Sequence, residues 1–136
     1  MSERSLLQQI GRTGRAMHAA FEKQVGIPLT RWRILQALQE SGRIPQKDLA
    51  AFLAMDPGLL TRQMKLMESE NLVKRQSAVE DNRMTLVELT KKGSELLDSL
   101  KVRRSNFSRM ATDGLPGEKI EIAIEMLKAI EARFRP

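Results

Sequence analysis

The chain has 136 residues, the size of one domain; 41% are hydrophobic, enough for a core, but only 4% are aromatic. The absence of cysteine excludes a disulfide framework, a thiol nucleophile, a cysteine redox sensor and the usual structural zinc sites, and it is compatible with a reducing cytosol. A formal net charge of +6 and a pI near 10.1 favour polyanionic partners, yet over residues 43–92 nine Lys/Arg stand against seven Asp/Glu, so no single basic block carries that preference.

Residues 3–25 read as a first helix. Leu6, Ile10, Met17 and Phe21 recur at helical spacing, with Leu7 and Ala20 beside them, and Gly26 and Pro28 end it. Thr30 is the expected N-cap of a second helix over about 31–40, with Trp32, Ile34, Leu35 and Leu38 on its apolar side. Ile44 and Pro45 then lead into a short third helix over about 46–54, burying Leu49, Ala50 and Leu53. Asp56 and Pro57 open a fourth helix. The carboxylate accepts from free N–H groups, and proline fits the first helical position, where its missing N–H has no partner to lose. This helix runs to about residue 70, and Asn71 suits the left-handed position after its end.

Residues 72–77 and 84–89 read as the two strands of a hairpin whose tip carries Glu80, Asp81, Asn82 and Arg83. Thr90 caps a long fifth helix ending near Met110, with Leu96, Leu97, Leu100 and Phe107 on its apolar side. Asp113 and Gly114 break the chain. A sixth helix starts at Pro116 with the stripe Ile120, Ala123, Leu127, Ile130 and Phe134, and Ile124 adjacent. The expected order is α-α-α-α-β-β-α-α. The wide apolar faces of the first and sixth helices point to packing of two chains, or to closure of the two helices within one. No apolar run reads as a secretory signal or approaches a membrane span, so a cytoplasmic protein without a membrane partner is expected.

On the fourth helix Leu60, Met64 and Met67 are spaced i, i+4, i+7 and should be buried. The opposite side then carries Gly58, Thr61, Arg62, Lys65 and Ser69, with Gln63 to one side and Gln46 at the start of the third helix. Thr61 can donate to a phosphate or touch a thymine methyl, and Arg62 can bond a phosphate or a guanine edge. Lys65 suits a phosphate, and Gly58 allows close backbone approach at the positive helix end. Lys74, Arg75 and Arg83 place cations on the hairpin, where an arginine at the tip suits a narrow minor groove. Asp81 can hold a guanidinium by an ion pair, with Arg75 or Arg83 as partner. A solvated helix face and an ordinary acidic turn are the plainer readings of these two groups.

The chain resembles the multiple antibiotic resistance regulator (MarR) family of winged helix-turn-helix regulators. The resemblance rests on LTRWRILQAL in the second helix, QKDLAAFL in the third, LLTRQMKLME in the fourth, LVKR entering the hairpin and DNRMTLVELTKKG leaving it, above all the Asp81-x-Arg83 pair followed by LT-x-x-G ending at Gly93. It departs from the family at Asn71, where glycine is usual, and over 56–58, where small hydroxyl residues are common. The resemblance implies a mainly α fold with a small β-wing: a winged helix-turn-helix lobe over 29–92, dimerisation helices over 1–28 and 111–136, and a connecting helix over 93–110. It implies a homodimer that binds a pseudo-palindromic operator in double-stranded DNA through Gln46, Gly58, Thr61, Arg62, Gln63, Lys65, Arg75, Asp81, Asn82 and Arg83, acting as a repressor released by a small aromatic or anionic effector.

For that effector, Arg15 and the only histidine, His18, together with Trp32, are candidates to border one pocket. Surface hydrogen bonding for His18 and core packing for Trp32 are the alternatives. No cofactor or metal is expected. With no cysteine, no tyrosine, one histidine, no glycine-rich phosphate loop and no metal-ligand spacing, an enzyme is not expected either. The other functional readings are a winged-helix module for protein–protein interaction and a ligand-independent regulator or activator.

Overall fold

The computed structural model describes residues 3–81 and 83–135. The elements in chain order are α1 (Glu3–Val25), α2 (Leu29–Ser41), β1 (Ile44–Pro45), α3 (Gln46–Leu53), α4 (Pro57–Ser69), β2 (Val73–Ser77), β3 (Thr85–Leu89), α5 (Lys91–Ser99), α6 (Lys101–Thr112) and α7 (Gly117–Phe134). Two compact units comprise Met1–Arg104 and Ser105–Pro136.

In the first unit α2, α3 and α4 share a core with one face of the sheet. Ile34, Leu35, Leu38, Leu49, Leu60, Met64, Met67 and Val87 are all buried. The expected stripe of α4 is fully removed from water, and each of its three side chains contributes about 2 kcal/mol of transfer free energy. Asp56 caps α4 as expected, its Oδ2 accepting from the Leu59 N–H at 3.0 Å. At the other end Asn71 takes φ 63°. The Leu72 N–H then reaches the Met67 carbonyl and the Asn71 N–H the Glu68 carbonyl, a Schellman closure with Leu72 and Met67 both buried.

The sheet has the order β1-β3-β2, all antiparallel. β2 and β3 form the expected hairpin, with Val73 opposite Leu89 and Ser77 opposite Thr85. β1 was expected only as a lead into α3. It pairs Ile44 with Val87 and Pro45 with Leu86. A two-residue strand has no alternation to read, and its existence depends on a partner more than 40 positions away.

Three further boundaries differ from expectation. α2 starts at Leu29 with Pro28 as N-cap, so Thr30 lies in its first turn and makes no capping bond. The fixed φ of Pro28, −58°, already turns the chain into the helix there. α3 ends at Leu53, and Ala54 takes a left-handed conformation to make the corner. The expected fifth helix is two helices, α5 and α6, separated by Leu100. Leu100 donates to the Leu97 carbonyl three residues back, and this tighter turn sets Leu97 and Leu100 on one side, where both are buried.

The C-terminal end of α4 is fastened to the start of α5. The Thr90 N–H donates to the Leu72 carbonyl and its hydroxyl to the Asn71 carbonyl, while the same hydroxyl oxygen accepts from the Gly93 N–H. Lys92 Nζ donates to the Glu70 carbonyl. Gly93 is required by space: a Cβ there would stand 2.2 Å from the Leu72 carbonyl oxygen. In the second unit no residue of α7 is buried, and Ile122, Ile124, Met126 and Leu127 are about half exposed.

Gly93→Ala is expected to destabilise the protein by about 3 kcal/mol, since backbone rather than a flexible side chain must yield. Urea unfolding followed by circular dichroism measures this, and a midpoint equal to that of the original protein would refute the close approach.

Candidate nucleic-acid interface

With one side of α4 sealed into the core, its helical phase turns the other side outward. Arg62 and Lys65 are exposed, Thr61 and Gln63 partly so, and Ser69 is exposed further along. Among the described residues neither Arg62 nor Lys65 is engaged in an ion pair. Gly58 is exposed in the first turn. A Cβ there would lie 3.1 Å from Asp56 Oδ2 and 3.6 Å from Arg62 Nη1, so its bare backbone keeps the cap and the Arg62 side chain together at the helix start.

Thr61 is more constrained than the sequence suggests. Its hydroxyl donates to the Pro57 carbonyl at 2.9 Å and accepts from Gln46 Nε2 at 3.1 Å. Its hydrogen is thereby committed within the protein, leaving the methyl group rather than a donor for a base or phosphate. Gln46 acts as a strut between the starts of α3 and α4.

Asp81 and Arg83 sit together at the hairpin tip. Asp81 Oδ1 accepts from the Arg83 backbone N–H at 3.0 Å and from its Nε at 3.4 Å. Of the two partners open to Asp81, Arg83 is the one chosen, and its side chain is otherwise 93% exposed. Asn82 lies outside the described residues. The starts of α3 and α4 and the hairpin tip together frame a cleft of about 530 Å³, lined by Gln46, Lys47, Thr61, Asp81, Arg83 and Thr85 among others.

Arg75 departs from the expected set. Its guanidinium turns to Glu68 on α4, with Nε and Nη2 at 3.2 and 3.0 Å from Oε1. Arg31 similarly meets Glu70 at 2.8 Å. Glu68, Glu70 and Arg31 were not picked out from the sequence, because a helix-to-strand pair and a helix-to-helix pair leave no periodic trace. Their effect is to sort charge. Glu68 of α4 and Glu70 just after it are paired with arginines from neighbouring elements, while Arg62 and Lys65 stay exposed and free of ion pairs among the described residues.

Among the described residues, the three effector candidates fall in two clefts. Arg15 and His18 line an open cleft of about 520 Å³ with Glu22 and the Pro28–Thr30 corner. Trp32 lines a different cleft of about 390 Å³ with Gln36, Glu40, Leu97, Lys101 and Arg104. Phe21 packs against Trp32 with ring centroids 5.7 Å apart, and the Arg104 guanidinium lies 4.9 Å from the ring centre.

The profile of the MarR family matches residues 27–85. The uncharacterized HTH-type transcriptional regulator YdgJ of Bacillus subtilis is 31% identical over 125 residues, spanning 92% of this chain and 76% of YdgJ. Among solved structures, a mutant of MarR from E. coli complexed with operator DNA superposes with a TM-score of 0.86 at 20% identity, covering 93% of both chains. PcaV from Streptomyces coelicolor, in complex with its natural ligand, superposes with a TM-score of 0.85 at 15% identity, covering 91% of this chain and 89% of PcaV. At these identities the structural likenesses establish the winged-helix fold.

Asp56→Ala should lower stability by about 1 kcal/mol through loss of the α4 cap. The loss is read from the shift in urea midpoint. A shift near zero would mean the cap does not secure the first turn of α4.

Proposed function

The chain belongs to the MarR family of transcriptional regulators, and from that membership we propose that it represses transcription as a homodimer on a pseudo-palindromic operator. It is a regulator, not an enzyme. The observation that carries the reading is two exposed cationic elements, Arg62 and Lys65 on α4 and Arg83 on a tip braced by Asp81, with the start of α4 and that tip lining one cleft. α4 enters a major groove, where Arg62 bonds a base edge or phosphate, Lys65 a phosphate and Gln63 a base edge. Arg83 enters the adjacent minor groove. Gly58 gives the backbone access, the Thr61 methyl meets a thymine, and Gln46, Arg75 and Asp81 hold the contacting groups in place. Asn82, between Asp81 and Arg83 in the sequence, completes the proposed contact set.

The E. coli MarR relative crystallised with operator DNA supports this choice of partner. Residues 1–28 and 111–136 supply the dimer contacts, which accounts for apolar side chains of α7 that a single chain leaves exposed. The lobe over 29–92 reads the DNA, and residues 93–110 connect the two regions. Half-sites then lie about one helical turn, ~10 bp, apart. Among the described residues no helix is long and apolar enough to cross a membrane, in keeping with a cytoplasmic regulator.

The effector is a small aromatic or anionic molecule, supported by the ligand-bound PcaV structure. Two clefts offer the matching chemistry: Arg15 and His18 in one, and Trp32 with Lys101 and Arg104 in the other. Binding favours a spacing of the two lobes that fits the operator less well, through its differential affinity for the two arrangements.

Selection of bound fragments from genomic DNA with the purified protein should return a palindromic site, and light scattering should return a dimer. Arg83→Ala and Arg62→Ala should each weaken operator binding by about ten-fold or more, Arg83→Ala with little change in sequence preference. Affinity should fall steeply with salt. Near-original affinity for both variants would remove this face as the DNA site. Calorimetry with a panel of aromatic carboxylates is expected to detect binding that either His18→Ala or Arg104→Ala abolishes, which identifies the cleft. No heat with any compound would dismiss the effector.

A further inference from the structure

β2 is an edge strand, since the sheet runs β1-β3-β2. Antiparallel pairing alternates, and the Ala78 N–H bonds the Met84 carbonyl on β3's side of the hairpin. Counting back by the period of two, the N–H of Arg75 points away from β3 to the open edge. It is not left open: Glu68 Oε2, on α4, accepts from it at 3.2 Å. Glu68 Oε1 meanwhile takes the Arg75 guanidinium through Nε and Nη2. One carboxylate therefore grips both the backbone and the side chain of one strand residue. The grip has direction as well as charge, because a backbone donor and a planar guanidinium fix the strand's height and tilt against the helix. From Arg75 the ladder continues to Ser77 opposite Thr85, then to the bond between Ala78 and Met84, and so to the tip that carries Arg83.

We propose that Glu68 is a positioning residue for DNA recognition: it fixes the wing against the recognition helix and thereby sets where Arg83 meets the minor groove. The inference rests on the DNA reading above. It makes a prediction opposite in sign to simple electrostatics. Deleting a carboxylate beside a polyanion tightens binding by charge alone, whereas deleting the brace of the wing loosens it.

The test combines operator titration by fluorescence anisotropy with hydrogen exchange on the free full-length protein, for Glu68→Ala and the near-isosteric Glu68→Gln. Glu68→Ala should weaken operator binding about five-fold, and Glu68→Gln in the same direction by less. In an Arg83→Ala background the further loss should be under about two-fold, since the contact being positioned is already gone. Amides over 73–79 should exchange faster in both Glu68 variants, with those of α2 unchanged. Tighter or unchanged operator binding, equal losses in the two backgrounds, or unaltered exchange in the wing would each overturn the proposal. If the original protein itself shows no salt-dependent DNA affinity, the DNA reading fails with it. The exchange data still decide separately whether Glu68 holds the wing.

Discussion

The close approach of Gly93 to the Leu72 carbonyl is the constraint on which the arrangement of α4, the sheet and α5 depends. Only a residue without a Cβ lets α5 begin where α4 ends. Thr90 uses that proximity twice, donating to Asn71 and capping α5 through Gly93. Three successive carbonyls at the end of α4, those of Glu70, Asn71 and Leu72, are satisfied by Thr90 and Lys92. The end of α4 and the start of α5 therefore share one hydrogen-bonded joint. A displacement of α5 has no slack in which to dissipate before it reaches α4. The Leu-Thr-x-x-Gly motif over 89–93 is thus a mechanical signature, and Asn71 supplies the left-handed residue that closes α4 before it.

In this near-neutral segment two acids are paired with arginines of neighbouring elements, while Arg62 and Lys65 are left without an ion pair among the described residues. Arg31 and Arg75 are the more buried partners of their pairs, and Glu70 and Glu68 turn towards them. Longer side chains reach inward with their aliphatic stems against the protein, which suits arginine. Arg62, Lys65 and Arg83 remain outside. The composition of this stretch says little about its potential, since Glu68, Glu70, Arg75, Asp81 and Arg83 are already held in ion pairs.

Much of the fold was legible from periodicity and end signals. The buried Leu60, Met64 and Met67 stripe, the Asp56 cap, the Asn71 closure and the hairpin all follow from local chemistry. What escaped was decided elsewhere in the chain. β1 exists because Val87 and Leu86 lie beside it, and the break at Leu100 exists because Leu97 and Leu100 must share one buried side. At the candidate site, residue types on the outer side of α4 were readable from helical phase. The commitments of individual donors were not: Thr61 turns its hydrogen to Pro57, and Arg75 turns to Glu68. His18 and Trp32 likewise line different clefts, and Phe21 and Arg104 clasp the indole.

That clasp has an optical consequence. The chain has one tryptophan and no tyrosine, so its near-ultraviolet emission comes almost wholly from Trp32. The fluorophore sits with Phe21 of α1 on one side and the Arg104 guanidinium over its ring. A cation at that distance perturbs the excited indole, and any shift of α6 against α2 changes the perturbation. The protein thus carries a built-in reporter at the meeting of α1, α2 and α6, readable without a label.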